Sequence, residues 1–197
     1  MRISLSVGLL AVLAATSMVN ANIVAAEAAD DGDGAIVCTA TWDQGTSTMN
    51  VDGAQYWYPG HIQGSFTTDT ELDPTVWLVE SVDNFTNFTW TDYHIDIGMD
   101  KEFSIVGVVA PPDWTWSITA PVSGQQLPNQ TPGTLGWVGK VDYYAGTPIG
   151  IGQTGQFGLS VSFLGSVQFC TAQVPTPEPA SLALLALAGL LLRRRNR

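Results

Sequence analysis

The body of this chain is nearly devoid of positive charge. Seven Lys and Arg stand against eighteen Asp and Glu, giving a formal charge of −11. Five of those seven bases, Arg2, Arg193, Arg194, Arg195 and Arg197, sit at the two ends, so only Lys101 and Lys140 lie between them. A body of this kind is repelled by phosphate backbones and anionic lipid, which excludes nucleic-acid binding. Cysteine is scarce too: Cys38 and Cys170 are the only two, and without CxxC spacing they give no zinc site. The two histidines, His61 and His94, stand apart from any HExxH or nucleophile-elbow spacing. Residues 35–173 also lack an apolar stripe of helical period, which argues against a helical body.

Thr, Val, Ile and aromatic residues fill that stretch instead, cut at short intervals by Gly, Pro, Asn and Asp. Strands are expected at 36–42, 54–58, 62–68, 76–82, 85–97, 103–109, 114–120, 135–144, 155–163 and 167–171. So many short strands in one domain of roughly 140 residues read as an all-β antiparallel sandwich. Within 85–97, alternation puts Thr89, Thr91, Tyr93, Ile95 and Ile97 on one face and Phe88, Trp90, Asp92, His94 and Asp96 on the other. The first set is expected inside and the acidic set in solvent.

Several residues invite a chemical reading. Trp114 and Trp116 share a strand face by alternation and form a candidate sugar-stacking pair, with Tyr56-Trp57-Tyr58 as a further aromatic surface. Asp92, His94 and Asp96 lie about 6.5–7 Å apart along a strand, so they read as a hydrated polar face rather than a metal site. Asp30-Asp31-Gly32-Asp33-Gly34 lacks the closing glutamate of a calcium loop and reads as part of a flexible acidic leader, 22–34. Asn84, Asn87 and Asn129 sit in Asn-x-Thr sequons that strand entry explains equally well. No catalytic constellation emerges, and neither a cofactor nor a metal is expected.

Both ends read as addresses. Arg2, an apolar run over 5–15 and small residues at Val19-Asn20-Ala21 describe a secretory signal peptide, 1–21, with Val24-Ala25-Ala26 as a second cleavage candidate ending at 26. Export carries Cys38 and Cys170 into an oxidising compartment, where a disulfide is expected; the alternative is two separate buried thiols. Such a cross-link would contribute on the order of 4–5 kcal/mol through loop closure.

At the other end, Pro177-Glu178-Pro179 precedes an Ala/Leu/Gly run over 180–192, then the arginine cluster. As a helix the run spans roughly 20 Å, short of the ~30 Å hydrocarbon core, which favours a processed signal over a permanent tail anchor. Arg193, Arg194, Arg195 and Arg197 are expected to stay cytoplasmic. This order of elements, residues 174–197, resembles the PEP-CTERM sorting signal of Gram-negative bacteria that make extracellular polysaccharide. The resemblance implies that an exosortase, a membrane transpeptidase, recognises Pro177, Glu178 and Pro179, and that the chain is held transiently in the inner membrane. The stretch from Asn84 to His94 and the run from Gly155 into the signal are similar to immunoglobulin-like domains of such proteins, implying that fold for 35–173.

The expected protein is therefore an exported, non-enzymatic structural or interaction component of the cell surface or polysaccharide matrix. A polysaccharide-binding module using exposed aromatics is the alternative.

Overall fold

The computed structural model describes residues 21–177. Among them are eleven strands and no helix: β1 (Ile23–Asp30), β2 (Ile36–Asp43), β3 (Thr48–Gln55), β4 (Gly60–Thr68), β5 (Thr75–Asn84), β6 (Trp90–Met99), β7 (Phe103–Val109), β8 (Thr115–Gln126), β9 (Leu135–Tyr144), β10 (Thr154–Phe163) and β11 (Val167–Pro177). Six form one sheet in the order β1-β4-β11-β6-β9-β8, and five form the other in the order β2-β3-β5-β10-β7. Every pairing is antiparallel except β3 with β5. The described residues are all-β, with two sheets facing one another in a sandwich-like arrangement.

Aromatic side chains hold the two sheets together. Tyr93 of β6 stacks on Phe157 of β10 with ring centroids 4.0 Å apart. Phe66 of β4 stacks on Phe163 of β10 at 5.7 Å, and the Tyr143 hydroxyl of β9 donates to the Gly158 carbonyl across the gap at 2.7 Å. Each such side chain stabilises the fold by roughly 1.5–3 kcal/mol through burial. Strand alternation supplies them: Tyr93, Ile95, Ile97 and Met99 of β6 are buried. Asp92, His94 and Asp96 point from the outer face, where His94 Nδ1 lies 2.6 Å from Asp142 of β9 and Lys140 lies 2.9 Å from the same carboxylate. That face is the polar surface its sequence implies.

Four expectations change. First, 22–34 is not a flexible leader. Residues 23–30 form β1, which pairs along β4 from Ile23↔Thr68 to Asp30↔Ile62. The acidic run after it is a tight turn in which Asp30, Asp31 and Asp33 each accept the backbone N–H two residues on. Gly32 and Gly34 take positive φ there (78° and 80°), a conformation that carries little penalty without a Cβ. Second, β11 runs on to Pro177, so 174–177 belongs to the sandwich rather than to a separate sorting segment, and the domain extends past 173 at that end as well as before 35 at the other.

Third, 85–89 is a loop. Asn84 is fully buried and its side chain holds that loop, donating to the carbonyls of Phe88 and Ile149 and accepting from Thr86. Trp90 consequently enters the core instead of the outer face, its indole N–H donating to the Thr86 hydroxyl at 3.0 Å. Likewise Tyr56, Trp57 and Tyr58 lie in a loop after β3, not in a strand.

Fourth, Cys38 and Cys170 are both free thiols. Cys170 pairs in register with Gly98 of β6 and Gln63 of β4, and all three face away from the core. Its neighbours Phe169 and Thr171 take the inward positions. The thiol is buried only because the 127–134 loop folds over it: a Cβ on Gly98 would meet Pro128, Leu127 and Cys170 Sγ. Cys38 lies on the inward side of β2, in the opposite sheet, packed against the core. The sheet itself separates the two sulfurs. Burial pushes both thiols up to about 11, so neither is a ready thiolate.

Candidate functional site at one end of the sandwich

The strand registers bring several loops to the end of the sandwich that Pro177 of β11 occupies. Gly60 of β4 pairs with Gln173, so the 56–59 loop extends beyond that level. Pro177 pairs with Trp90, so the 85–89 loop lies beside the last described residue. Trp90 also exchanges both backbone hydrogen bonds with Ile149, and Gly152 N donates to the Asn84 carbonyl, which draws in the 149–153 loop. Pro177 thus emerges at a rim built from three loops. Glu178, Pro179 and the arginine cluster lie outside the described residues.

That rim is aromatic. Tyr56 stacks with Phe85 at 5.6 Å and Tyr58 meets Phe88 edge-on at 5.6 Å. Tyr56, Tyr58, Phe85 and Ile151 are exposed all the same, and Trp57 stands 67% exposed. Among the described residues Trp57 has no ring partner. The aromatic surface read from Tyr56-Trp57-Tyr58 is present.

The pair read from Trp114 and Trp116 is absent. Trp114 precedes β8 and turns into the core, 7% exposed, with its indole N–H donating to the Thr147 carbonyl at 2.8 Å and its ring edge-on to Phe157. Trp116 lies in β8, 47% exposed. Alternation puts i and i+2 on one face only where both belong to the strand, and Trp114 does not. One buried and one exposed indole cannot form a coplanar platform.

Two polar groupings went unseen in the sequence. Asp31, Asp33 and His61 converge with ligand atoms within 4.8 Å of one another, the grouping among the described residues best suited to a divalent cation. Asp31 already faces His61 at 3.2 Å and accepts from Asn129. Partial burial would raise its carboxyl, but hydrogen bonds from Asp33 and the neighbouring His61 outweigh that and hold it below the usual range. The grouping closes the β1–β2 turn against β4. No spacing rule links positions 31 and 61; only the β1–β4 register brings them together.

The second grouping lies inside. Glu80 of β5 and Gln173 of β11 line a cavity with about 20 Å³ open to the centre of a water molecule, walled by Val51, Ile62, Leu159 and Phe169, enough for one water. Gln173 donates to Glu80 at 3.3 Å and to Thr171 at 2.7 Å, yet Glu80 Oε1 and Gln173 Oε1 have no protein partner. Burial pushes the Glu80 carboxyl up to about 7, although the Tyr93 hydroxyl and the Gln173 amide favour its ionised form. With a single acid and room for one water, the cavity does not supply the paired carboxylates of glycoside hydrolysis. A larger groove of about 550 Å³ on the outer face is lined by Glu27, Gln63, Gln130 and Gln168; Phe169 is the one aromatic residue in its wall and is buried, 4% exposed, so it offers little ring face for a sugar to stack on.

No family model, no curated protein and no solved structure matches this chain.

Proposed function

We propose that this is an exported structural or interaction protein of the cell surface or extracellular polysaccharide matrix, without catalytic activity, carrying a PEP-CTERM sorting signal acted on by an exosortase-type transpeptidase. The supporting observation is the ordered C-terminal sequence: Pro177-Glu178-Pro179, the apolar run 180–192 and the arginine cluster. The fold is compatible with that reading, because Pro177 of β11, the first residue of the motif, lies at the rim of the sandwich. An immunoglobulin-like ancestry belongs to the same proposal. The parallel β3–β5 pair and eleven strands depart from the seven or nine strands of the standard domains.

The test is fractionation of the producing cell into membrane, surface-polymer and medium fractions, for the wild type and for a Glu178→Ala/Pro179→Ala variant. Those positions follow the last described strand residue, so the sandwich is expected to fold in both. The reading requires the variant to accumulate in the membrane fraction. An unchanged distribution contradicts it.

The polysaccharide-binding reading keeps one specific support, the exposed rings of Trp57 and Trp116. Pull-down on isolated surface polysaccharide tests it, with loss of retention expected on Trp57→Ala.

A further inference from the structure

Aromatic rim, chain exit and charge distribution together bear on what the exposed rings meet. Tyr56, Trp57, Tyr58 and Phe85 occupy the same end of the sandwich as Pro177. Two residues, Glu178 and Pro179, separate Pro177 from the apolar run that begins at Ala180. Fully extended, that connection reaches at most ~10 Å at 3.3–3.6 Å per residue. The headgroup layer on one side of a bilayer is of similar depth, roughly 5–8 Å. Once the run 180–192 enters a membrane, the sandwich has no room to stand clear of it, and the end that carries Pro177 faces the lipid.

What that end presents suits the interface. Tyr and Trp favour the headgroup region because each joins an apolar ring to a polar tip. Tyr56 and Tyr58 are held by ring contacts to Phe85 and Phe88 on the neighbouring loop, so little conformational freedom is lost on docking. Trp57 and Ile151 add exposed apolar surface at the same level. The charged neighbours are acidic: Asp31 and Asp33 on the β1–β2 turn, Asp83 on β5 and Asp92 on β6, while both lysines lie elsewhere, in β9 and in the 100–102 turn. Attraction to anionic headgroups is therefore ruled out as the driving force, and zwitterionic lipid is the preferred surface.

We propose that the rim formed by Tyr56, Trp57, Tyr58 and Phe85 docks in the interfacial layer of the bilayer that receives the C-terminal run, fixing Pro177-Glu178-Pro179 at headgroup level. This rests on reading 174–197 as a membrane-inserted sorting segment.

The experiment uses the mature chain, residues 22–197, reconstituted into phosphatidylcholine vesicles, plain or brominated high on the acyl chains. Flotation reports insertion of the C-terminal run; quenching of tryptophan emission by the brominated lipid reports docking of the rim. The expected result is co-flotation of wild type and Trp57→Phe alike, with quenching in the wild type and loss of most of it in the variant. Adding anionic lipid should weaken the quenching. Flotation with equal emission from plain and brominated vesicles overturns the docking and leaves the sorting segment standing, as does quenching that Trp57→Phe leaves unchanged. Failure to float overturns the reading of 174–197 and the docking with it. Shielding of Trp57 from acrylamide by isolated polysaccharide, without quenching by brominated lipid, assigns the rim to a sugar ligand and overturns the proposal.

Discussion

Pro177, the first residue of the Pro-Glu-Pro motif, pairs with Trp90, a fully buried tryptophan at the start of β6. The proposed sorting signal therefore begins inside the fold. Trp90 is fastened on three sides: to Ile149 through the backbone, to Thr86 through the indole N–H, and to Tyr93 through ring contact at 5.3 Å. Replacing Trp90 with Ala should destabilise the domain by about 3–5 kcal/mol, the usual cost of deleting a large buried ring. Trp57→Ala, at an exposed site, should stay within about 0.5 kcal/mol. Urea unfolding midpoints of the two variants check both figures.

The free thiols predict indifference to reductant. With Cys38 facing inward from one sheet and Cys170 outward from the other, thermal unfolding should give the same midpoint with and without dithiothreitol. Cys170→Ala should lower stability by only ~1 kcal/mol, from the small void left under Leu127, corresponding to roughly 2–4 °C for a domain of this size. A midpoint that falls by ten degrees or more on reduction, as loss of a long-loop cross-link of ~4–5 kcal/mol would require, contradicts the separation of the sulfurs.

Glu80 predicts a pH dependence. Its carboxyl is raised by burial from an ordinary 4.5 to about 7 in the folded chain, so the neutral form is favoured by the fold. The associated stability is fully present below pH 4.5 and is lost as pH rises through 7, a decline of about 3 kcal/mol by pH 8. Asp31, Asp43 and Asp69 are lowered from their ordinary 3.8. Their contributions disappear on the acid side, below pH 4, whereas burial raises the Asp96 carboxyl from 3.8, so the share of Glu80 between pH 5 and 8 is read as the difference between wild type and Glu80→Gln. Urea titrations across that window should show the decline in wild type and a clearly shallower one in Glu80→Gln. A flat wild-type profile would falsify the assignment.

β1 predicts where a leader is cut. Ile23 is buried and opens the pairing with β4. Cleavage after Ala21 leaves β1 whole, whereas cleavage after Ala26 removes its first half and bares the edge of β4. N-terminal sequencing of the exported protein should give Asn22 first. A mature chain starting at Glu27 contradicts the placement of β1.

Much of the architecture was legible because its punctuation is local. β7 and β9 match their expected bounds at both ends, since Asp100-Lys101 and Ala110-Pro111 bracket one while Gly133 and Ala145-Gly146 bracket the other. β1 was not legible. Its alternation is carried by Ala25, Ala26, Ala28 and Ala29, whose own preference is for helix rather than strand, and pairing with β4 overrides it. The break at 85–89 depends on Asn84 bonding to Ile149, 65 positions away. A sulfur's direction depends on strand parity, which flips with a one-residue change in register. Phe169 and Thr171 are inward in the fold, but the sequence offers Cys170 an equal claim. The exposed Tyr56-Trp57-Tyr58 rim was visible as composition, while its position beside Pro177 comes from the β4–β11 and β6–β11 registers alone.

The most direct test is the intact mass of the protein recovered from the medium or cell surface, which fixes its C-terminus. A sorted and processed chain should lack Arg193, Arg194, Arg195 and Arg197 and end within or close to Pro177-Glu178-Pro179, with the Glu178→Ala/Pro179→Ala variant retaining Arg197 in the membrane fraction. A released protein that still carries Arg197, or a variant trimmed like the wild type, contradicts the account.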